Sequence, residues 1–401
     1  MFVQICKIRG LQNFHDSVDQ LTPLRMAPAI CNNRGMFNFQ KRLAKLRRQL
    51  SAGDQPANLL VSNLTNIFYL TGFTGSAGNL LVTPERTTLL TDGRYATQVQ
   101  QECPGIEAEI QRQGETLIEL LGRFTKKAKI TELAYEADAV SKATFDQWSS
   151  KMPQANLAST SGIIESLRMV KDKQEIEAIR KSIRINERTF NVIRAQLSGD
   201  QTEQEISFNL EHQMRQFGAT GCSFKPIVGV GPNAALPHAT PGATRIDENP
   251  ILLIDWGAMV DHYISDLTRT LWVGPKISAR FRKVYEAVLA AEQAAIAAIR
   301  PGAITSDLDG IARKVIEDAG FGKRFNHSLG HGIGLNVHEG PGLRSNQSTE
   351  LKSGMVVTVE PGIYIPNWGG IRIEDDILVT PDGYETLSEL PKQLDECIVT
   401  V

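Results

Sequence analysis

The chain has 401 residues, of which 22% are charged and 41% hydrophobic, a composition typical of globular domains. Its 43 Lys and Arg nearly balance 45 Asp and Glu, leaving a formal net charge of −2, so the basic footprint of a nucleic-acid-binding protein is absent from the balance. No apolar run approaches the ~20 residues of a membrane-spanning helix. The five cysteines are scattered and form no CxxC pair, which argues against a disulfide framework and favours the cytoplasm.

Residues 1–35 differ from the rest of the chain, because Pro, Asn and Gly interrupt every apolar run there. Two interpretations stay open for this segment. It is either a disordered arm or an upstream extension of the reading frame with Met36 as the working start. We favour the second, because a regular pattern begins at Met36.

Residues 36–162 alternate helix and strand patterns, which predicts a small α/β domain. The first helix is amphipathic, with Phe39, Leu43, Leu46 and Leu50 at helical spacing. Short apolar runs bounded by Gly, Asn and Pro predict strands; they are Leu59–Val61, Asn79–Val82 and Thr87–Leu90. Further helices are predicted over 116–124 and 141–150.

Residues 163–401 group helices and strands in blocks, which predicts an antiparallel α+β domain rather than a doubly wound sheet. Four helices are expected, one starting at 171–173 and the others over 202–218, 279–302 and 306–322. Thr202 and Glu205 have the spacing of a capping box. The strand signals are ILLIDWGAMV, LTRTLWV, MVVTVEPGIYI and IRIEDDILVT.

Four acidic residues lie where these strands end or are interrupted, although strand interiors disfavour carboxylates. They are Asp255, Asp266, Glu360 and Glu374. The short link between Asp255 and Asp266 predicts a hairpin that brings the two together. Burying unpaired carboxylates is costly, and Arg372 is the one nearby cation in this pattern. Two divalent metals would balance four negative charges, and paired metals activate water and polarise a carbonyl.

Histidines support a metal site, because four of the seven lie in two glycine-rich stretches. His238 lies in GPNAALPHATPG, a loop by composition, and His327, His331 and His338 lie in NHSLGHGIGLNVHEGPG. Glycines let the backbone pass close to a ligand. A neutral imidazole from these stretches would complete a carboxylate ligand set.

Four segments in this order resemble the metal-site blocks of the pita-bread metallopeptidases, and within that superfamily the Xaa-Pro aminopeptidases and prolidases. They are ILLIDWGAMVDHYISDLTRT, HSLGHGIGLNVHEGPG, VVTVEPGIYI and GGIRIEDDILVT. NIFYLTGFTGSAG and LLTDGRY resemble the N-terminal domain of the same proteins. The resemblance implies a pita-bread catalytic domain over 163–401, with an antiparallel sheet and covering helices, preceded by a creatinase-like α/β domain over 36–162.

The resemblance also implies a ligand set for two metals. Asp255 would chelate one metal, Asp266 and Glu374 would bridge both, and His331 and Glu360 would complete the other shell. Oxygen-rich ligation with one imidazole suits Mn²⁺ or a neighbouring first-row ion. The sequence does not choose among manganese, cobalt, iron and zinc.

The remaining site residues are assigned in the same way, as the resemblance implies. His238 and His338 would hold the substrate and stabilise the developing oxyanion, and His327 would lie near the substrate. Arg372 would keep the ligands oriented, and Glu360 would act as general base. Asp375 and Asp376 match no catalytic position, and we expect them to face solvent or to form a structural hydrogen bond.

We therefore expect a cytoplasmic dinuclear metallopeptidase that removes an N-terminal residue from peptides or dipeptides with proline at the second position. The resemblance implies a homodimer or a larger homo-oligomer, and no nucleic-acid or membrane partner is expected. Three alternatives stay open. A methionine aminopeptidase-like enzyme would share the ligands but needs no first domain, whereas a creatinase-like hydrolase or a non-catalytic protein-binding relative would lack ligands.

Overall fold

The computed structural model describes residues 37–52 and 56–401, so the predicted extension over 1–35 lies outside the described residues. The α-helices of the described part are α1 (Phe39–Ala52), α2 (Leu64–Thr71), α3 (Ala96–Glu102), α4 (Leu117–Lys127), α5 (Lys142–Lys151), α6 (Ile163–Met169), α7 (Lys173–Ala195), α8 (Glu203–Gln216), α9 (Ala279–Ala297) and α10 (Thr305–Asp318).

The strands of the described part fall in two groups. Those of the first half are β1 (Leu59–Val61), β2 (Asn79–Val82), β3 (Thr87–Thr91), β4 (Glu107–Ile110), β5 (Glu132–Glu136) and β6 (Asn156–Thr160). Those of the second half are β7 (Gly221–Cys222), β8 (Ile227–Val230), β9 (Ile251–Trp256), β10 (Ala258–Val260), β11 (Tyr263–Ile264), β12 (Leu267–Val273), β13 (Gly330–Gly332), β14 (Glu339–Leu343), β15 (Val356–Val359), β16 (Gly362–Ile365), β17 (Gly369–Arg372), β18 (Asp375–Val379), β19 (Tyr384–Thr386) and β20 (Ile398–Val399).

The first half forms one six-stranded mixed sheet in the order β4-β3-β2-β1-β5-β6. β1 pairs antiparallel with β2 and parallel with β5, which requires the helical crossovers that the alternating pattern predicted. The amphipathic α1 buries Leu43, Leu46 and Leu50 beneath this sheet. The expectation of a small α/β domain is confirmed.

The domain boundary placed at residue 162 stays a prediction. α6 begins immediately after it, and Ile164 of α6 is buried with apolar side chains of the first half. The next helix, α7, begins at a capping box in which the Asp172 side chain accepts from Glu175 N and the Glu175 side chain accepts from Asp172 N. Residues 163–172 thus connect the two halves through α6 and a short link.

The second half contains several small sheets covered by α7 to α10. β8, β9, β12 and β20 form one, and β14, β13, β15, β18 and β19 form another, both largely antiparallel. The predicted capping box of Thr202 and Glu205 is present at the start of α8. The prediction of an α+β domain with antiparallel sheets and covering helices is therefore confirmed.

The strands that carry acidic residues are more broken than their apolar patterns suggested. MVVTVEPGIYI divides into β15 and β16 at Glu360 and Pro361, and IRIEDDILVT divides into β17 and β18 at Ile373 and Glu374. Proline offers no N–H to a ladder, which accounts for the first break. Carboxylates thus lie at strand interruptions, where their side chains are free to turn toward a cavity.

The predicted hairpin between Asp255 and Asp266 exists but is extended at its tip. β9 and β12 pair antiparallel with Thr268 opposite Asp255. Beyond them the chain forms a second hairpin, β10 and β11, whose turn residues Asp261 and His262 have positive φ angles of 52° and 69°.

Within residues 37–52 and 56–401, no helix is long and apolar enough to cross a bilayer.

Candidate metal centre and active site

The five predicted metal ligands converge on the wall of one cavity of about 910 Å³. Asp266, His331 and Glu374 offer ligand atoms that all lie within 4.8 Å of one another. His331 Nε2 lies 3.4 Å from Glu360 Oε1 and 3.8 Å from Asp266 Oδ2. Asp255 faces the same cavity from β9. Strand ends that are more than a hundred residues apart in the chain thus meet at one point.

The carboxylates of this group carry more negative charge than the chain itself balances. Among the described residues, Arg372 is the sole Arg or Lys that forms an ion pair with any of the four, donating to Asp255 Oδ2 at 2.5 Å. Burial, reinforced by the neighbouring carboxylates, raises the pKa of Asp266 and Glu374 well above the usual range. Burial also raises the pKa of Glu360 to about 8.

This imbalance is what a cation site requires. Asp255 Oδ1 is buried and has no hydrogen-bond partner among the described residues, although buried oxygens are rarely left unpaired. Four carboxylates and one imidazole form a donor set suited to first-row divalent ions. The residues present therefore fit the divalent metals that the sequence predicted.

The surroundings of His331 keep its imidazole ring neutral, as a metal ligand requires. Burial and the adjacent His338 lower the pKa of His331 to about 4. Its Nδ1 donates to the carbonyl oxygen of Gly332 at 3.2 Å, because a carbonyl can only accept. In the neutral ring, this leaves the lone pair of Nε2 directed toward Asp266 and Glu360.

The glycines beside His331 are required by close backbone packing. A Cβ on Gly330 would lie 2.1 Å from the carbonyl oxygen of Thr358, and a Cβ on Gly332 would lie 2.2 Å from that of Gly340. Any side chain would therefore push β13 away from its neighbours. The glycines thus fix the position of His331 through close backbone packing, and their predicted role beside a ligand stays a prediction.

Arg372 connects several site residues, in line with the orienting role expected of it. Its Nε donates to Thr268 Oγ1 at 3.0 Å, and Thr268 Oγ1 donates to Glu374 Oε2 at 2.7 Å. A second guanidinium nitrogen donates to the hydroxyl of Tyr364 at 2.8 Å. One arginine thus holds Asp255 directly and Glu374 through a threonine.

His327 lines the cavity but uses both ring nitrogens within the chain. Nδ1 donates to the carbonyl oxygen of Ser328 at 2.8 Å, so Nε2 of the neutral ring accepts from the Tyr364 hydroxyl at 2.9 Å. Burial, followed by the charge of Arg372, lowers the pKa of His327 to about 3. His327 therefore lines the cavity with its nitrogens occupied by Ser328 and Tyr364, and its predicted place near the substrate stays a prediction.

His338 and His238 face the cavity with more freedom. The His338 ring packs edge-on against that of His331, with centroids 4.4 Å apart. Neither ring nitrogen of His338 has a hydrogen-bond partner among residues 37–52 and 56–401. Burial and His238 lower the pKa of His338, so its neutral ring carries one N–H available to a bound molecule.

Of the two roles expected for Asp375 and Asp376, the structural hydrogen bond is the one observed, because both side chains are buried rather than facing solvent. Asp375 accepts from Arg269 at 2.7 Å and pairs with Lys392. Asp376 Oδ2 accepts from the backbone N–H of Asp266 at 3.2 Å. Arg269 also donates to the carbonyl oxygen of Glu374 at 2.7 Å. These side chains hold the backbone of two predicted ligands.

Sequence reasoning missed Thr268, Tyr364 and Arg269. Thr268 and Arg269 lie in LTRTLWV directly after Asp266, and Tyr364 lies in the block that contains Glu360. A charged residue inside the apolar LTRTLWV run was the available signal for Arg269, because a buried charge requires a partner. No local signal identified the partners of Thr268 or Tyr364.

Comparisons with known proteins agree with this geometry. Residues 177–381 match the metallopeptidase family M24, and residues 42–170 match the Creatinase/Prolidase N-terminal domain. The Xaa-Pro dipeptidase of Pyrococcus furiosus is 33% identical over 342 residues, which are 84% of this chain and 94% of that protein. The solved structure of an Xaa-Pro dipeptidase from Bacillus anthracis has a TM-score of 0.85 and 34% identity. The match covers 91% of this chain and 100% of that chain. The solved structure of an X-Pro aminopeptidase from Thermotoga maritima MSB8 has a TM-score of 0.79 and 36% identity. The match covers 86% of this chain and 97% of that chain.

Proposed function

This chain belongs to metallopeptidase family M24 and is a hydrolase, and from that premise we propose that it cleaves the bond between an N-terminal residue and a following proline. The observation that carries the proposal is the convergence of four carboxylates and His331 on one cavity. Similarity to the Xaa-Pro dipeptidases and the X-Pro aminopeptidase supports the choice of bond. The match of residues 42–170 favours it over a methionine aminopeptidase-like enzyme.

Two divalent ions are proposed for the centre, held by Asp255, Asp266, His331, Glu360 and Glu374. When bound, such ions lower the pKa of water and polarise the scissile carbonyl. Manganese is our first choice because oxygen ligands predominate, with cobalt, iron and zinc as alternatives. Arg372 balances one of the four carboxylates, and the three remaining negative charges exceed what a single divalent ion neutralises, which supports a second ion.

The side chains of the cavity divide the remaining work. Glu360 is proposed to take the proton from the attacking water and to return it to the proline nitrogen as the bond breaks. His338 is proposed to donate its free ring N–H to the oxyanion that develops on the carbonyl. His238 and His327 bound the space that the substrate occupies, and Arg372 maintains the orientation of Asp255 and Glu374.

A dipeptide substrate is favoured by positive charge on the cavity wall. Arg344 lines the cavity, is exposed, and donates through Nε to Gln347 Oε1 at 2.9 Å. No ion pair among the described residues engages its guanidinium. An arginine so placed is suited to the free carboxylate that follows proline in a dipeptide. The longer Xaa-Pro peptides of an aminopeptidase carry that carboxylate farther from the cleaved bond.

The assembly and the compartment remain proposals. We propose a homodimer or a larger homo-oligomer, as the family resemblance implies, which sedimentation at several protein concentrations would test. We also propose a cytoplasmic location, supported by the free thiols of Cys103, Cys222 and Cys397. Fractionation of cells that express the chain would test it.

The decisive experiment is hydrolysis of Ala-Pro by metal-free protein after addition of Mn²⁺, Co²⁺, Fe²⁺ or Zn²⁺ in turn. We expect turnover with at least one ion and about two ions bound per chain by elemental analysis. Ala-Ala serves as the control for proline, and Ala-Pro-amide as the control for the free carboxylate. Turnover of Ala-Ala but not of Ala-Pro would overturn the proposal.

The role of His338 is tested separately. His338→Ala is expected to leave the metal content unchanged and to lower kcat roughly 10²-fold, as for other oxyanion donors. An unchanged kcat would remove this residue from the mechanism without affecting the metal centre.

A further inference from the structure

The loop that carries His338 is anchored by the residue that follows it. Glu339 Oε1 accepts from the backbone N–H groups of Leu335 and Asn336 at 2.7 and 2.8 Å. By bonding these two N–H groups, the Glu339 carboxylate stabilises the turn formed by residues 335–339. Gly334 packs against the same carboxylate, because a Cβ there would lie 3.0 Å from Glu339 Oε2. The position of His338 therefore depends on where the Glu339 side chain is held.

The Glu339 side chain is in turn held by cations from the link between the two halves. Arg168, in the last turn of α6, donates to Glu339 Oε1 at 2.5 Å, and Lys171 Nζ lies 3.7 Å from Oε2. The Arg168 and Glu339 side chains are only 3% and 5% exposed, although both border the cavity. The strong ion pair, not contact with solvent, determines their geometry.

Arg168 reaches back into the first half of the chain. Its NH1 group donates to Asn66 Oδ1 at 2.8 Å, and Asn66 Nδ2 donates to Glu136 and Glu165, each at 2.6 Å. Among side chains, the planar guanidinium of arginine presents N–H groups in a rigid fork, so one group can donate to a carboxylate while another donates to an amide oxygen. This series of hydrogen bonds, from Asn66 through Arg168 to Glu339, connects α2 of the first half to the His338 loop.

We propose that Arg168 and Glu339 are positioning residues for His338, through which the first half of the chain sets the rate of peptide cleavage. The inference rests on the proposed function, because it assigns importance to His338 in that reaction. It goes beyond that function in giving the N-terminal half a part in turnover. Neither residue is a metal ligand, and neither needs to touch the substrate.

Arg168→Met is the variant of choice, because it removes the fork and leaves Glu339 paired with Lys171. We expect kcat for Ala-Pro to fall about tenfold with KM changed less than about twofold, and metal content unchanged. A rise in KM at constant kcat would instead indicate direct binding of substrate by Arg168 and would overturn the proposal. Arg168→Lys should recover part of the loss, because an ammonium pairs with Glu339 but cannot also donate to Asn66.

A double-mutant cycle with His338→Ala tests whether the effect acts through His338. In the His338→Ala background, Arg168→Met should lower kcat by less than about twofold, because residues acting as one unit are not additive. If the two substitutions lowered kcat independently, so that their factors multiplied in the double variant, the proposal would be overturned. Arg123→Met is the matched control, since Arg123, like Arg168, joins two side chains, here the carboxylates of Glu109 and Glu115, in the first half of the chain but away from the cavity.

Hydrogen exchange provides a readout that does not depend on activity. The amides of Leu335 and Asn336 are protected by Glu339, so Arg168→Met should speed exchange in a peptide spanning 333–339 about tenfold. Unchanged exchange in that peptide would overturn the positioning role. If the unmodified protein hydrolysed no Xaa-Pro substrate, the proposed function and the effect on turnover would fail, while this measurement would still decide whether Arg168 positions the His338 loop through Glu339.

Discussion

Two buried ionic clusters lie side by side in the second half of the chain, and adjacent residues belong to different ones. Glu374 belongs to the ligand cluster with Asp255, Asp266 and Glu360, whereas Asp375 belongs to a cluster with Arg269, Lys392 and Glu292. Burial and nearby carboxylates raise the pKa of Glu374 well above its usual range. Burial acts on Asp375 as well, but Arg269 and Lys392 outweigh it and lower its pKa to about 2.

The contrast between the two clusters shows which property separates a candidate metal centre from a structural ion pair. Both clusters are removed from water, and burial alone does not separate them. In the cluster of Asp375, two cations of the chain face two carboxylates. In the ligand cluster, four carboxylates share Arg372. The missing positive charge, rather than the presence of acids, identifies the place where an external cation belongs.

The largest expected effect is that of Asp266→Asn in the ligand cluster. Loss of this carboxylate should lower the bound metal and reduce Ala-Pro hydrolysis by at least ~10³-fold. The free energy of unfolding of the metal-free protein should not fall, because the change removes a buried like charge. Elemental analysis, an Ala-Pro assay and urea unfolding measure the three outcomes. Full metal content with full activity would contradict the assignment of the cluster.

Asp375→Asn should have the opposite consequence for stability. It leaves the buried Arg269 and Lys392 with less negative charge, and breaking a buried pair typically costs about 3–5 kcal/mol. Urea unfolding of the metal-free variant, compared with metal-free Asp266→Asn, isolates the effect from metal binding. If the two variants were equally stable, the contrast between the clusters would not hold.

The pH dependence of the metal-free protein sharpens the contrast. Glu360 has a folded-state pKa of about 8, raised mainly by burial, so its contribution to stability is present at low pH and is lost as pH rises through about 8. The free energy of unfolding should therefore fall between about pH 4.5, the ordinary pKa of a glutamate, and about pH 8, by up to about 1.4 kcal/mol per pH unit for each proton involved, and the contribution of Glu360 should level off above pH 8. Urea unfolding with and without metal measures this. Metal-free stability that rises over this range would contradict the prediction.

The smallest effect is expected from an exposed ion pair of the same half. Arg180 donates to both carboxylate oxygens of Glu385 at 2.7 Å at the surface. Because solvent screens exposed pairs, Arg180→Ala should lower the free energy of unfolding by about 0.2–1 kcal/mol. A loss as large as that of Asp375→Asn would show that burial does not set the energy of these pairs.

The residues proposed as ligands could be identified in the sequence because their signals are local. Asp255 and Glu360 interrupt apolar runs, and His331 lies among glycines. Each anomaly is visible within a few residues. The resemblance to known metal-site blocks then gave the order of the five ligands, and the structure brings them to one cavity.

The contacts that support the ligands could not be predicted, because they join residues that are distant in the chain. Thr268 meets Glu374, and Arg168 meets Glu339, 171 residues away. Hydrophobic periodicity tells which face of a strand is buried but not which side chain lies opposite. The break at Glu374 was missed for a similar reason, since the apolar pattern continues across it, whereas the interruption at Glu360 was visible in the sequence.

The wide spacing of the ligands along the chain has a consequence for biosynthesis. A ribosome releases Asp255 and Asp266 long before Glu374, and Arg269 finds its carbonyl partners at Leu390 and Pro391. A nascent polypeptide that ends before these positions therefore exposes acidic side chains without the geometry to retain an ion. The full set of proposed ligands and its supporting contacts is therefore complete only after residues up to 391 have been synthesised.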